Sequence, residues 1–411
     1  MSEWKKVKLG ELYEVHNGLS KGRQFFGTGF PFLTFSNVFN NWFLPEQLES
    51  LVQTTDKERE ACSIKAGDVF ITRTSETMDE LGMSSVALKD YPNATYNGFT
   101  KRLRPITDRV NSRYIGYYLR TPKFRGQFMA FSSMTTRASL ANDDLLNMEV
   151  ELPPMEIQHR IATILSRYDS LIENYQKQIK LLEEAAQRLY KEWFIDLHFP
   201  GHENITIIEG VPEGWGNVTI DDVTSKITTG LNPRKNFVLG IGNNYYVTIK
   251  NMANNTIYLD DKCDKVDDDA IEKINKRSDL ETGDILFSGI GTIGRVCLID
   301  IPTNNWNVSE SVFTLRANEM VSKEFMYLML LGTDVQNYCQ AHAHGAAQKG
   351  IRMADLKAYK FSLASRKVMQ DFTRMVTPYI NNVSRIQSQL RLLTEARDRL
   401  LPKLMNGEIE Q

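Results

Sequence analysis

The chain has 411 residues, of which 42% are apolar and 24% charged, and its formal net charge at pH 7 is −2. This length indicates two to three domains, each with its own core. A charge so close to zero argues against a protein that coats nucleic acid indiscriminately, although it permits local basic surfaces. The sequence shows no apolar secretion signal and no apolar run long enough to span a membrane. The four scattered cysteines lack a CxxC pair, so we expect reduced thiols and a cytoplasmic protein.

The first segment, from Trp4 to about Leu152, is predicted to mix strands with helices. Short apolar runs are separated by Gly, Asn and Pro, which is typical of strands joined by turns. These runs are VKLGELYEV, FPFLTF, GDVFIT and SSVAL, and the later run SRYIGYYLRTPKFRGQFMAF has a more helical pattern. Pro153 and Pro154 then stand where a helix would begin, because proline already has the φ angle of a first helical turn.

A long amphipathic helix is predicted to follow, running to about Phe194. Its apolar residues are spaced alternately four and three apart, which is the a/d pattern of a left-handed coiled coil. This first seam consists of Ile161, Leu165, Tyr168, Ile172, Tyr175, Ile179, Leu182, Ala186, Leu189 and Trp193. Charged residues lie between the seam positions, so we expect the other faces of the helix to be solvated: Arg160, Glu173, Lys177, Lys180, Glu183, Glu184, Arg188 and Lys191.

The second half of the chain repeats this plan. Trp215 corresponds to Trp4, and Thr229-Gly-Leu231 corresponds to Asn17-Gly-Leu19. The run Thr282-Gly-Asp-Ile-Leu-Phe corresponds to Ala66-Gly-Asp-Val-Phe-Ile. A second seam lies 211 residues after the first: Phe372, Val376, Tyr379, Val383, Ile386, Leu390, Leu393, Arg397, Leu400 and Leu404. It is apolar everywhere but at Arg397. The fixed offset indicates a tandem duplication, and Pro378 inside the second seam should kink that helix.

The repeat predicts an α+β fold with two globular domains and two long helices. We expect the first domain at residues 1–153, the first spacer helix at 154–197 and a connector at 198–212. The second domain would then occupy residues 213–364, and the second spacer helix residues 365–407. Because the second helix begins at the second domain, the two seams can pack over their length only if the helices are antiparallel. Two heads on a rod suit the measurement of a distance better than catalysis.

Two short motifs are candidates for chemical sites. Gly289-Ile-Gly-Thr-Ile-Gly294 has the spacing of a dinucleotide loop, but the β-branched residues that follow favour a glycine turn between two strands. His342 and His344 could face a metal together, although without a nearby cysteine cluster we expect ordinary exposed histidines. We identify no Walker loop, methyltransferase tetrad or nuclease carboxylate cluster in the sequence. The chain is therefore predicted to be non-catalytic, without a metal or cofactor of its own.

Basic residues are concentrated locally. One segment holds Lys101, Arg102, Arg104, Arg109, Arg113, Arg120, Lys123 and Arg125, with Asp108 as its one acid. Polar or basic loops recur in both halves, and such side chains can contact phosphates and base edges. The candidate DNA-binding residues in these loops are Lys21, Arg23, Arg73, Thr74, Thr136, Arg137, Arg234, Lys235, Gln348 and Lys349. For each single cation an ordinary solvated charge is the favoured interpretation. Only for the paired loops, Lys21 and Arg23 with Arg234 and Lys235, are the two interpretations equally good. The acidic stretch from Asp260 to Asp269 should face away from DNA.

This duplicated plan resembles the specificity subunit of type I restriction–modification enzymes over essentially the whole chain. The resemblance is carried by the WxxxxLG start, the GD-[VI]-[FL] strand, LPPxEIQxRIATIL at the entry to the first helix and LTEARDRLLPKLMNGEI at the end. The second helix departs from it, because LASRKVMQDFTRMV lacks the double proline. The resemblance implies that each domain reads half of a bipartite double-stranded DNA site. It also implies two modification (methyltransferase) subunits and two restriction subunits as partners. S-adenosylmethionine, ATP and Mg are then expected only on those partners.

The sequence therefore predicts a non-catalytic DNA-specificity subunit. The alternative is a coiled-coil scaffold whose globular heads bind proteins. At about 1.5 Å per residue, the seam from Ile161 to Trp193 would be about 48 Å long. We therefore expect half-site centres about 10–14 base pairs apart.

Overall fold

The structure, a computed structural model, describes residues 4–75, 81–131, 138–345 and 349–408. The chain divides into two compact units. Unit 1 contains the residues up to 173 and those from 392 onward, and unit 2 contains residues 174–391. Each of the two long helices therefore contributes one part to each unit.

Unit 1 is built from short strands and helices that lead into the first long helix. Its strands are β1 (Lys5–Lys8), β2 (Tyr13–Asn17), β3 (Phe26–Leu33), β4 (Leu51–Val52), β5 (Val69–Thr72), β6 (Thr74–Ser75), β7 (Ser84–Val86), β8 (Thr95–Tyr96), β9 (Thr100–Pro105), β10 (Ala138–Ser139) and β11 (Glu149–Leu152). Its helices are α1 (Phe35–Asn40), α2 (Asp56–Ala61), α3 (Ser112–Tyr118), α4 (Pro122–Phe131), α5 (Asn142–Asn147) and the start of α6 (Met155–Phe194). Pro153 and Pro154 immediately precede α6, where the sequence predicts a helix start.

Unit 2 follows the same order after the connector. Its strands are β12 (Ile207–Ile208), β13 (Val211–Pro212), β14 (Gly216–Thr219), β15 (Thr224–Thr229), β16 (Asn244–Val247), β17 (Met252–Ala253), β18 (Thr256–Ile257), β19 (Asp264–Val266), β20 (Ile285–Ser288), β21 (Val296–Leu298), β22 (Trp306–Val308), β23 (Val312–Ala317) and β24 (Lys360–Leu363). Its helices are α7 (Asp268–Ser278), α8 (Lys323–Leu331), α9 (Thr333–Ala341), α10 (Met353–Lys357) and most of the second long helix, α11 (Arg366–Met405).

The sheets of the two units have the same topology. A four-stranded antiparallel sheet has the order β2-β9-β5-β7 in unit 1 and β15-β23-β20-β21 in unit 2. A three-stranded sheet has the order β4-β3-β8 in one and β19-β16-β22 in the other, with the middle strand parallel to the last. The first strand of each copy pairs with the strand that precedes the long helix, β1 with β11 and β14 with β24. The tandem duplication predicted from the sequence is therefore confirmed.

The same buried ion pair joins equivalent strands of both units. Asp68, just before β5, accepts two hydrogen bonds from the Arg104 guanidinium at 2.8 and 2.7 Å. Asp284, just before β20, accepts two from Arg316 at 2.6 and 2.8 Å. Both carboxylates are buried, and the planar guanidinium fork matches their geometry. The aspartate of the repeated Gly-Asp sequence thus fixes the start of the central strand.

The central strand of each four-stranded sheet is buried on both faces, which explains its continuous apolar sequence. In β5, Val69 and Ile71 face a core shared with α3 and α6, whereas Phe70 faces a second core beneath the three-stranded sheet. In β20, Leu286 faces the second core while Ile285 and Phe287 face the first. Each unit is therefore a layered α+β domain, as predicted.

Within each unit the start of one long helix packs with the end of the other. In unit 1, Ile161 and Leu165 of α6 share a core with Leu401 and Leu404 of α11. In unit 2, the later residues Ala186, Tyr190 and Trp193 of α6 share a core with Phe372 and Val376 of α11. Higher residue numbers in α6 meet lower numbers in α11 in both places, so the helices run antiparallel. The fold class predicted from the two seams is confirmed.

The predicted seam residues are buried to different degrees. Leu165, Ile172, Val376 and Val383 are buried, whereas Ile179, Leu182, Leu189, Leu390, Leu393 and Leu400 are half-buried. The assignment of Tyr379 to the seam is wrong, because its side chain is 36% exposed and the neighbouring Ile380 is buried instead. A straight helix has 3.6 residues per turn, so a strict 3.5-residue pattern drifts away from the buried face.

Two residues of the second long helix, Arg397 and Pro378, interrupt its apolar pattern. Arg397 forms an ion pair with Asp169 at 3.0 Å and lies over the Trp42 ring, so its charge is compensated. The helical conformation of α11 continues through Pro378, which therefore does not end the helix. The kink expected at this proline stays a prediction.

The remaining general features concern cysteines and membrane spans. Cys62, Cys263, Cys297 and Cys339 are all unpaired and buried. Burial raises the pKa of the Cys339 thiol to about 12, so this side chain is a neutral core residue at ordinary pH.

Across the described ranges, no helix has the length and apolar character that crossing a membrane requires.

Candidate nucleic-acid interface

Four backbone segments of unit 1 meet at one end of its four-stranded sheet. The N–H of Gly98 donates to the carbonyl of Leu19 at 2.9 Å. The N–H of Arg73 donates to the carbonyl of Phe99 at 3.0 Å, and the N–H of Leu140 donates to the carbonyl of Arg73 at 3.1 Å. The turn after β2, the loop after β5, the loop before β9 and the strand β10 are thereby held side by side.

Unit 2 repeats the two bonds made by the backbone of Arg73 and adds a further one. The N–H of Gly289 donates to the carbonyl of Ser311 at 2.9 Å, and the N–H of Ile351 donates to the carbonyl of Gly289 at 2.8 Å. The N–H of Gly291 donates to the carbonyl of Lys349 at 2.7 Å. Gly289 therefore stands in the place of Arg73. We call this end of each unit its loop end.

A glycine is needed where the turn after β2 or β15 approaches the next segment. A Cβ atom on Gly18 would lie 2.2 Å from the carbonyl oxygen of Asn97, and one on Gly230 only 1.6 Å from that of Val308. No side chain fits at either place. The close contact holds the basic turn that follows each glycine, Arg23–Phe25 in unit 1 and Pro233–Lys235 in unit 2, at the loop end.

The cations predicted on these turns differ in their surroundings. Lys21 is not free, because its ammonium group pairs with Glu58 at 2.8 Å, and this hydrogen bond lowers the pKa of the Glu58 carboxyl. Arg23, Arg234 and Lys235 are exposed and form no ion pair with any residue that the structure describes. These three are the cations on the two turns that could reach a phosphate.

The other candidate DNA-binding residues lie in or beside the loops after β5 and before β10 and in the corresponding segments of unit 2. Arg73 is half-buried, and Thr74 lies on β6, where its backbone pairs with Ser139 of β10. Lys349 is exposed in the segment of unit 2 that corresponds to β10. Thr136, Arg137 and Gln348 lie outside the described residues. The structure thus brings the flanks of the predicted loops together in each unit.

Three of the eight cations in the basic segment between residues 101 and 125 bind internal groups, so they do not contribute to a local basic surface. Arg104 is bound to Asp68, and Arg102 donates to the carbonyl of Ser63 at 2.7 Å. Arg120 donates to four backbone carbonyls, including that of Val38, and burial lowers its pKa to about 10. These guanidinium groups satisfy internal acceptors because strand β9 and the end of α3 are buried.

The two motifs weighed as chemical sites have structural explanations. The loop Gly289–Gly294 joins β20 to the antiparallel strand β21, so no helix follows it as a dinucleotide site would require. His342 stacks on Tyr338, and His344 lies 3.3 Å from the Asp355 carboxylate. Where the structure describes side chains, no group of three or more His, Cys, Asp or Glu residues is arranged to hold a metal ion.

Sequence reasoning did not place two polar groups at the loop ends, although it counted one of them in the basic segment. Lys101 projects from β9 of unit 1 next to Arg73, and its ammonium group donates to the Asn142 side chain. In unit 2, Glu310 accepts hydrogen bonds from Asn232 at 2.7 Å and from the Tyr246 hydroxyl at 3.2 Å. The partners are separated by 41 to 78 residues along the chain, so no local spacing could have revealed these contacts.

Comparison with known proteins identifies both halves. The family model described as "Type I restriction modification DNA specificity domain" matches residues 1–184 and again residues 212–391. The chain belongs to this family. The resemblance found in the sequence is therefore confirmed, and the tandem units of the structure are two copies of the type I specificity domain.

Relatives and a solved structure agree with this assignment. The "Type I restriction enzyme MjaIX specificity subunit" of Methanocaldococcus jannaschii is 24% identical, covering 99% of this chain and 94% of that protein. The corresponding HindI specificity subunit of Haemophilus influenzae is 22% identical over the whole of both chains. The crystal structure of the type I S subunit from M. genitalium matches with a TM-score of 0.59 at 15% identity, covering 98% of this chain and 96% of that one. The structural match shows that the type I specificity fold is shared.

Proposed function

We propose that this chain selects the DNA site of a type I restriction–modification complex, with each unit reading one half of a bipartite double-stranded site. The observation that carries this proposal is the double match to the specificity-domain family, one copy for each unit. We propose residues 1–153 and 213–364 as the two recognition domains, 154–197 and 365–407 as the helical spacers, and 198–212 as the connector between them.

The two units should read different half-sites. Their loop ends share the two backbone hydrogen bonds made at Arg73 and at Gly289, but the residues that follow differ, with Thr74-Ser75 in unit 1 and Ile290-Gly291 in unit 2. Sequence is read by side chains at base edges, whereas the shared backbone frame sets where those side chains stand. The exposed cations Arg23, Arg234 and Lys235 are suited to phosphate contacts that position each unit.

Chemistry on the DNA would belong to partner chains. The sequence carries no recognisable methyltransferase or nuclease motif, and the relatives are named specificity subunits. We therefore propose two modification subunits as partners and, in the full complex, two restriction subunits. S-adenosylmethionine, ATP and Mg would bind to those partners, and this chain would supply the selection of the site.

Selection from a random pool of duplexes tests the proposal. The full chain, purified together with its modification subunit, should enrich two short conserved blocks separated by a fixed number of unread base pairs. Neutralising Arg234→Gln and Lys235→Gln together should weaken retention, because two candidate phosphate contacts are lost. Lys360→Gln, which removes an exposed cation on β24, is the matched control and should have no effect.

Two results would contradict the proposal. A pool without any enriched sequence would show that the chain does not select DNA, and a scaffold with protein-binding heads would then be the better interpretation. Enrichment of a single continuous block would show that the two units do not read separate half-sites.

A further inference from the structure

Arg73 is hydrogen-bonded through its backbone at the loop end of unit 1, yet its buried Nε atom finds no partner among the residues that the structure describes. Its backbone N–H donates to the carbonyl of Phe99, and its carbonyl accepts from the N–H of Leu140, so both neighbouring segments hold its backbone in place. The side chain is half-buried, and its buried Nε atom has no hydrogen-bond partner among the described residues. Buried donors are normally satisfied, so an unsatisfied guanidinium nitrogen beside a surface points to a ligand that the chain itself does not provide.

A second cation lies next to it. Lys101 is only 4% exposed and donates a hydrogen bond to the Asn142 side chain, a neutral acceptor. Burial and the positive charge of Arg73 lower the pKa of the Lys101 ammonium group, while Asp144 acts in the opposite direction. Neither cation forms an ion pair with a carboxylate in the part of the chain that the structure describes. Two neighbouring like charges in a partly desolvated place repel each other, and a bound anion would relieve that repulsion.

The fold itself does not require these cations. In the equivalent registers, Ile71 pairs with Lys101 in unit 1, and Phe287 pairs with Phe313 in unit 2. Phe313 thus replaces Lys101, and Gly289 replaces Arg73. A Cβ atom on Gly289 would lie 2.4 Å from the Phe313 ring, so the aromatic ring occupies that space in unit 2. The same backbone is built with two cations in one copy and with an apolar pair in the other.

We propose that Arg73, with the charge of Lys101 beneath it, binds a backbone phosphate of the half-site read by unit 1, and that unit 2 has no counterpart of this contact. The inference rests on the proposed DNA-binding function. A phosphate fits better than a base edge, because a full negative charge offsets two cations whereas the neutral acceptors of a base do not. Arg73 is the contacting group, and Lys101 is a positioning residue that acts through it.

The test measures how salt affects binding to a 40-base-pair duplex that carries the methylated site mapped in host DNA. The full chain with its modification subunit is titrated between 50 and 200 mM salt. Loss of one phosphate contact reduces the slope of log K against log salt by about 0.9. Arg73→Gln should show this reduction, and Lys6→Gln, which removes an exposed cation of β1 in the same unit, should not. Thermal unfolding verifies that each variant is folded.

A double-mutant cycle tests the role of Lys101. Lys101→Met should weaken binding in the wild-type background and should have no further effect once Arg73→Gln is present. Additive losses would show that Lys101 acts independently of Arg73 and would overturn its assigned role.

Two outcomes would overturn the phosphate contact itself. One is an unchanged salt slope in a folded Arg73→Gln variant. The other is relaxed selectivity at one base pair with the slope unchanged, which would assign Arg73 to a base edge. A wild-type complex that selects no duplex would instead overturn the proposed function, and this inference with it.

Discussion

Removing the buried carboxylate at the start of the central strand should destabilise unit 1 strongly. In Asp68→Asn the side chain keeps its size but loses its charge, while the Arg104 guanidinium, 20% exposed, stays in place. Breaking a buried ion pair costs about 3–5 kcal/mol, because the remaining charge is left uncompensated. Arg104 would retain its hydrogen bond to the Ser63 carbonyl at 3.0 Å, so we expect a loss near the lower limit, about 3 kcal/mol.

The equivalent change in unit 2 is predicted to be milder. In Asp284→Asn, Arg316 would keep Glu281 as an ionic partner at 2.6 Å, so we expect a loss of about 1–2 kcal/mol. Urea unfolding followed by hydrogen exchange would measure both losses and assign each to its unit. Glu272→Gln, which breaks the exposed pair with Lys276, is the control and should cost less than about 0.5 kcal/mol. Losses below about 0.5 kcal/mol in both aspartate variants would refute the reasoning.

Three further predictions concern the helices, the glycine turns and one half-buried acid, Glu183. Phe372→Ala should lower the free energy of unfolding by about 3–5 kcal/mol, because this side chain is fully buried. Leu182→Ala should lower it clearly less, because Leu182 is only half-buried. Equal losses in thermal or urea unfolding would contradict this ranking. Gly18→Ala and Gly230→Ala should each distort one loop end, which should give faster hydrogen exchange there and weaker DNA retention. Unchanged exchange would contradict the close contacts of these glycines with the carbonyls of Asn97 and Val308. Burial raises the pKa of the Glu183 carboxyl in the folded protein. The protonated side chain therefore contributes its full stabilisation of the fold at low pH, and this contribution is lost as pH rises through the raised pKa. Glu183→Gln should therefore stabilise unit 2 near pH 7 but not near pH 4, and a gain of equal size at both pH values would contradict this.

The helices could be read from the sequence because their signal is local. An apolar residue every three or four positions specifies a buried helical face wherever the helix packs. The error at Tyr379 and Ile380 arose because a one-residue shift of that face depends on the partner surface. Arg397 was recognised as an exception, but its ionic partner Asp169 is 228 residues away and could not be inferred.

The sequence could not show which basic residues face solvent and which bind internal groups. A run of cations such as that around Arg104 and Arg120 has the same composition whether it faces solvent or the interior. Their acceptors are supplied by residues 36 to 82 positions away, including Asp68 and the Val38 carbonyl. The repeated Asn-Gly-Leu and Thr-Gly-Leu turns were recognised by comparing the two halves, but the reason for the glycine is the carbonyl that each turn meets. Repetition in the sequence therefore located the loop ends, and long-range contacts decided which side chains are free there.

The central claim, that each unit reads its own half-site, is tested most directly by mapping methylated bases in host DNA after one unit is exchanged. Residues 1–150 are replaced by the equivalent segment of a relative, and the map is compared with that of the natural chain. We predict that one block of the bipartite site changes while the other block stays the same. A change in both blocks, or in neither, would contradict independent reading by the two units.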